Sequence, residues 1–269
     1  MTQPRIVKLR RPASCERCGA HLAAGIQASW DGASKTVTCT RCAANPASSS
    51  GTAGASARAE GERRRGAELQ RRRELKERRP ILGRIALVGA APATAGASYL
   101  KGAVGEEKLG ASLDALTSEG MYVLHDRRRL GTAANIDHIV VAPTGIWVID
   151  AKRYRGVVRK VDRGGWLRSD VRLSVAGTDR TSLVQGVHKQ VVDVQRIITS
   201  SIGPDTPVFG ALCFIDAEFR MLAKPFAIDG VLIVWPKTLR ERLRSPGALD
   251  DHARANAYRS LRDSLRSAR

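Results

Sequence analysis

The chain has 269 residues, 43% of them hydrophobic, enough for one α/β domain with a packed core plus a small module. A formal charge of +19 and a pI near 10.7 favour a polyanionic partner, nucleic acid ahead of an anionic membrane surface. The opening "MTQPRIVKLRRPASC" lacks the apolar core and cleavage site of a secretory signal. The most apolar stretch, "ILGRIALVGAAPATAGASYL" (81–100), is broken by Arg84 and Pro92 and is a poor membrane span, so the expected location is cytoplasmic and a membrane role is not expected.

In chain order, "CERC" and "CTRC" come first. Cys15, Cys18, Cys39 and Cys42 form two Cys-x-x-Cys knuckles that can give four thiolates to one tetrahedral, structural Zn²⁺. Between them, "IQASWDGASKTVTC" reads as strand, Asp-Gly turn and strand, which lets the knuckles meet. A pair of disulfides is the alternative, disfavoured in a reducing compartment. The fifth cysteine, Cys213 in "GALCFID", reads as a core residue. The expected organisation is a zinc ribbon over 1–45, a flexible linker and basic helix over 46–100, and a larger domain with a C-terminal helix over 101–269.

"ANPASSSGTAGASA" has nothing to pack and reads as linker. "RAEGERRRGAELQRRRELKERR" (58–79) has no apolar stripe and reads as a solvated helix closed by Pro80. It is either a spacer or an arm that grips phosphates. "GEEKLGASLDALTSEG" places Leu109, Leu113 and Leu116 at helical spacing, with Gly120 at the end. Glu106 and Glu107 are expected to open that helix, where they would complement its dipole. "MYVLHD" reads as a short strand, "GVVRKVD" and "WLRSDVRLSV" as strands around Gly164-Gly165. "TSLVQGVHKQVVDVQRIITS" reads as an amphipathic helix, "PVFGALCFID" and "GVLIVW" as buried strands, and the C-terminus as a basic amphipathic helix.

The most informative stretch is "NIDHIVVAPTGIWVIDAKR" (135–153), a hairpin about Pro143-Thr144. Residues paired across that turn have numbers summing to about 287, so Asp137 and Asp150 are expected to face each other. Carboxylates about 5 Å apart repel by roughly 3 kcal/mol at an effective dielectric of about 20. Lys152, two residues past Asp150, falls on the same strand face and can relieve the repulsion. The same trio can also hold Mg²⁺ and serve a water molecule. Glu106 is a candidate third acid. His125, His138 and His188 read as core or supporting histidines, Trp147 as core, and Trp166 could stack on a base. Phosphate-binding glycine loops, Rossmann fingerprints and serine nucleophile elbows are absent from the sequence.

Asp137 followed across the hairpin by Asp150-Ala151-Lys152 resembles the PD-(D/E)xK pattern of restriction-endonuclease-like nucleases. Together with "GAVGEEKL", "VLHDRRRL", "YRGVV" and "VHKQVVDVQRI", the stretch from about 101 to 235 resembles the nuclease-related domain (NERD) family. The resemblance implies an α/β fold, a restriction-endonuclease-like mixed sheet flanked by helices. It further implies a metal-dependent nuclease acting on nucleic acid, most simply DNA. Asp137 and Asp150 would hold Mg²⁺ or Mn²⁺, Lys152 would be the catalytic lysine and Glu106 the early helical acid. Related nucleases also use a helical glutamine, for which Gln190 and Gln185 both qualify. Ile136 stands where the motif has proline. A non-catalytic nucleic-acid-binding module and a membrane-associated interaction protein are the competing expectations.

Overall fold

The computed structural model describes residues 5–14, 21–32, 35–40, 43, 51–78, 97–132, 134–165, 168–219 and 224–268. The chain divides into two compact units, Met1–Thr52 and Ala53–Arg269. In the first, strands β1 (Arg5–Lys8), β4 (Gln27–Asp31) and β5 (Thr36–Cys39) make an antiparallel sheet, and β2 (Ala13–Ser14) pairs β3 (His21–Leu22). Leu9, Leu22 and Ala28 are buried together at its centre. The strand–turn–strand expected between the knuckles is thus present as β4–β5. Cys15, Cys18 and Cys42 lie outside the described residues, and Cys39 closes β5.

The second unit begins with helix α1 (Ala55–Arg78) and helix α2 (Ala97–Asp114), then a 3-10 turn over Ala115–Glu119. The turn ends at Gly120, which takes the left-handed conformation (φ 79°) that glycine adopts without a Cβ penalty. A six-stranded mixed sheet follows in the order β13-β14-β12-β8-β7-β6. Its strands are β6 (Tyr122–Arg128), β7 (Asn135–Ala142), β8 (Gly145–Lys152), β12 (Val208–Phe214), β13 (Phe226–Ile228) and β14 (Val231–Val234). β12 runs parallel to β8 and β14, and the other pairs are antiparallel. Between β8 and β12 lie a small sheet, β9 (Val158–Asp162), β10 (Val171–Val175) and β11 (Thr178–Asp179), and helix α3 (Thr181–Ser201). Helices α4 (Pro236–Arg244) and α5 (Asp251–Ser264) end the chain.

Strand alternation sends apolar residues to both faces of the large sheet. Val123, Val140, Trp147, Ile149 and Ala211 pack against Leu109 and Leu113 of α2 and Leu239 and Leu243 of α4. On the opposite face, Ile139, Val141, Ile146 and Val148 meet Val194 and Ile198 of α3 and Leu261 of α5. Trp147 and Cys213 are core residues, as their apolar runs predict. Residues 81–96 of the apolar stretch, and Trp166, lie outside the described residues; among the described ones no helix is long and apolar enough to cross a membrane.

One sequence expectation fails. The helix carrying Glu106 and Glu107 starts at Ala97, not after Gly105, so both acids stand in mid-helix and its dipole does not account for them. The helix accepts Gly105 because backbone and sheet approach closely there. A Cβ at that position would lie 3.1 Å from Arg153 Cβ and 3.2 Å from Ile215 Cδ1.

Candidate active site

The hairpin β7–β8 closes with a two-residue turn, Pro143-Thr144, between the paired Ala142 and Gly145. Gly145 sits at φ 138°, and a Cβ there would lie 2.7 Å from Pro207 O, so the turn needs glycine at this position. Every pair from Ala142↔Gly145 to His138↔Ile149 sums to 287. Asp137 and Asp150 are the next facing positions on that register. Asp137 Oδ2 accepts a hydrogen bond from the Ala151 amide at 2.9 Å, and the ammonium of Lys152 donates to Asp150 Oδ1 in an ion pair. Asp150 is buried beside β12, where it pairs with Leu212.

The charges of this cluster act on one another. Burial, then the charge of Asp150, pushes the Asp137 carboxyl well above the usual carboxylate range. Burial alone would lower Lys152, but Asp150, Asp137 and Glu106 together hold its pKa above that of an ordinary lysine. Glu106 reaches in from α2. Burial first, with the charges of Asp126, Asp150 and Glu107 adding to it against the lowering effect of Lys152, raises its pKa to about 7. Three carboxyl groups therefore share one ammonium, an excess of negative charge that a bound cation would balance. As they stand, no three His, Cys, Asp or Glu side chains among the described residues converge closely enough to hold a metal.

The two candidate glutamines differ sharply. Gln190, on the sheet-facing side of α3, is buried, and its Oε1 has no hydrogen-bond partner among the described residues; Gln185 is exposed.

Asp126 was not singled out from the sequence. The pairs His125↔His138 and Arg127↔Ile136 flank it, so it falls opposite Asp137 on β6, and the acids of β6, β7 and β8 form one row across three strands. Its backbone is left-handed (φ 49°), uncommon for a residue other than glycine. Its buried carboxylate accepts hydrogen bonds from Ser56 N (2.7 Å), Ser56 Oγ (2.6 Å) and Asn135 Nδ2 (3.1 Å), and so ties the first turn of α1 to the acid row. Nothing local in "LHDRRR" signals a partner 70 residues earlier in the chain.

Beneath α2, His125 Nε2 meets Asp114 Oδ1 at 2.9 Å, and its Nδ1 meets His138 Nδ1 at 2.8 Å. With Asp114 ionised, His125 donates from Nε2 and accepts at Nδ1, so His138 donates from Nδ1. Burial, then the neighbouring His125, keeps the His138 pKa well below the ordinary histidine value. These rings lie on the α2 side of the sheet and support α2 rather than facing the acid row. His188, by contrast, is exposed on α3 and bonds Asp229 O.

Residues 101–215 match the family model of the nuclease-related domain, NERD. The matched segment starts within α2, ends one residue beyond β12, and so contains Glu106, Asp126, Asp137, Asp150, Lys152 and Gln190. An uncharacterized protein of Bacillus anthracis is 39% identical over 59 residues, equal to 21% of this chain and 28% of that protein's length. The chain thus covers less than a third of this relative. No solved structure matches the chain.

Proposed function

We propose that the nuclease-related domain hydrolyses phosphodiester bonds of DNA with a divalent metal ion, Mg²⁺ or Mn²⁺. The observation that supports this best is the hairpin end. Two aspartates stand on facing register positions, a lysine is paired to one of them, and a glutamate with raised pKa enters from α2. Asp137 and Asp150 would hold the metal, which would supply Lewis-acid stabilisation of the phosphate. Lys152 orients the attacking water and stabilises charge that develops on the phosphate oxygens. Glu106 is the third acid, able to hold or release a proton near neutral pH. The free Oε1 of Gln190 is an acceptor for that water or for substrate. In the first unit, Cys15, Cys18, Cys39 and Cys42 would hold a structural Zn²⁺ and extend the grip on nucleic acid.

The test is cleavage of supercoiled and linear DNA by purified protein with Mg²⁺ or Mn²⁺, beside Lys152→Ala and Asp150→Asn. Metal-dependent nicking by the wild type alone is the expected result. Absence of cleavage, with equal DNA binding by all three proteins, would mean a nuclease scaffold used only for binding.

A further inference from the structure

Helix α1 is docked through its first turns. Its first turn is held by Asp126 through Ser56, and Arg58 Nε bonds Glu107 at 2.8 Å. Gly54 and Gly61 are buried; a Cβ on Gly54 would lie 2.8 Å from Ala103 O, so only glycine permits this approach to α2. Arg64 lies 4.5 Å over the ring of Tyr99. From Arg58–Glu107 to Arg64–Tyr99, rising α1 numbers meet falling α2 numbers, so the two helices run antiparallel, and α1 passes the start of α2 near Arg64.

Beyond that point Glu68 alone is partly buried among the described residues, and the others are exposed. Leu69 and Leu75 are 45% and 49% exposed, and Arg65, Arg71 and Arg73 are exposed and form no ion pair among the described residues. A helix that is polar all round is held by its own i,i+4 pairs, here Glu60–Arg64 and Gln70–Glu74, and leaves its remaining arginines available to a partner. Its composition points to a polyanion.

We propose that the part of α1 beyond Arg64 is a rail for the phosphate backbone of duplex DNA, latched by Ser56–Asp126 so that it leads directly out of the acid row. This rests on the reading of that row as a nuclease site and adds the length and geometry of its substrate. At about 1.5 Å per residue, Arg65 and Arg73 stand roughly 14 and 26 Å along the helix from Ser56. That reach equals roughly four to eight base-pair steps of about 3.4 Å. Duplex lying on one side of the cut is gripped over that interval, and a shorter duplex is not.

The experiment is duplex binding by fluorescence anisotropy in EDTA, with the full chain and its R65Q/R71Q/R73Q variant, across a salt series. One stem-loop carries a stem of about five base pairs, which from a central site falls short of Arg65, and the other a stem of about fifteen. The substituted side chains are exposed, so the fold is preserved. The slope of log affinity against log salt on the long stem should become shallower by about 2.7, from about 0.9 for each of three phosphate contacts. Binding of the short stem should not change. An unchanged slope, or an equal loss on both stems, overturns the proposal. So does weakened binding of phosphatidylserine vesicles with duplex binding intact, which would give the helix to a membrane surface. Hydrolysis plays no part in this assay, so a protein that never cleaves DNA could still show the rail, and an active nuclease could still lack it.

Discussion

Replacing Glu106 with glutamine isolates the electrostatics of the acid row. The Glu106 carboxyl has a folded pKa of about 7 against a usual value of 4.5. At about 1.36 kcal/mol per unit, this corresponds to roughly 3 kcal/mol. The folded state binds this proton more tightly than the unfolded chain does. Its contribution is therefore fully present below pH 4.5 and is lost as pH rises through about 7. In metal-free buffer the wild type should lose about 3 kcal/mol relative to Glu106→Gln between pH 4 and pH 9. Urea denaturation followed by tryptophan fluorescence at several pH values measures the difference directly. A wild type and variant whose stabilities run parallel over that range would refute a buried, charge-coupled Glu106. Added Mg²⁺ should flatten the wild-type curve, because a cation beside the row favours the ionised acid.

Lys152→Ala leaves the buried Asp150 carboxylate without its cation; a loss of about 3 kcal/mol is expected in EDTA, partly recovered on adding Mg²⁺ in a thermal melt. Asp126→Asn keeps one acceptor oxygen and sets an NH2, which cannot accept, among the donors of Ser56 and Asn135. It should cost about 1–2 kcal/mol and speed proteolysis within α1, read by limited trypsin digestion. Gly110→Ala would set a Cβ 2.4 Å from Ala53 Cβ and 3.6 Å from both histidine rings; overpacking of about 1–3 kcal/mol should appear as a lowered urea midpoint.

The register of the β7–β8 hairpin was legible because two independent signals agree on it: a turn with glycine after it, and apolar runs of matching length on either side. Facing positions follow from arithmetic, which is why the sequence alone sets Asp137 against Asp150 with Lys152 beside it. Glu106 is a candidate third acid in the sequence, with a helix start as the alternative account; the helix begins at Ala97, which removes that alternative, and its charge couples to Lys152 and Asp150. Gly105 looks like a boundary residue in a single sequence, yet here it serves close packing against Arg153 and Ile215. Gln190 and Gln185 could not be separated by helical periodicity alone, since only tertiary packing decides which of the two is buried. Asp126 was invisible for a stronger reason. Its role depends on an unusual backbone conformation and on Ser56, and neither leaves a periodic trace.

The turn at Pro143-Thr144 also has a distant duty. Pro143 O accepts the Leu249 amide at 3.0 Å, and Gly247 packs so closely that a Cβ would lie 2.2 Å from that same oxygen. The loop before α5 therefore clamps the turn from outside. From Pro143 to Asp150 the strand spans roughly 23 Å at about 3.3 Å per residue. One residue inserted at the turn would leave both strands hydrogen-bonded but shift one against the other, carrying an aspartate to the wrong side of the sheet. The spacing of the acids is thus gauged at the far end of the molecule, by residues that never approach a phosphate.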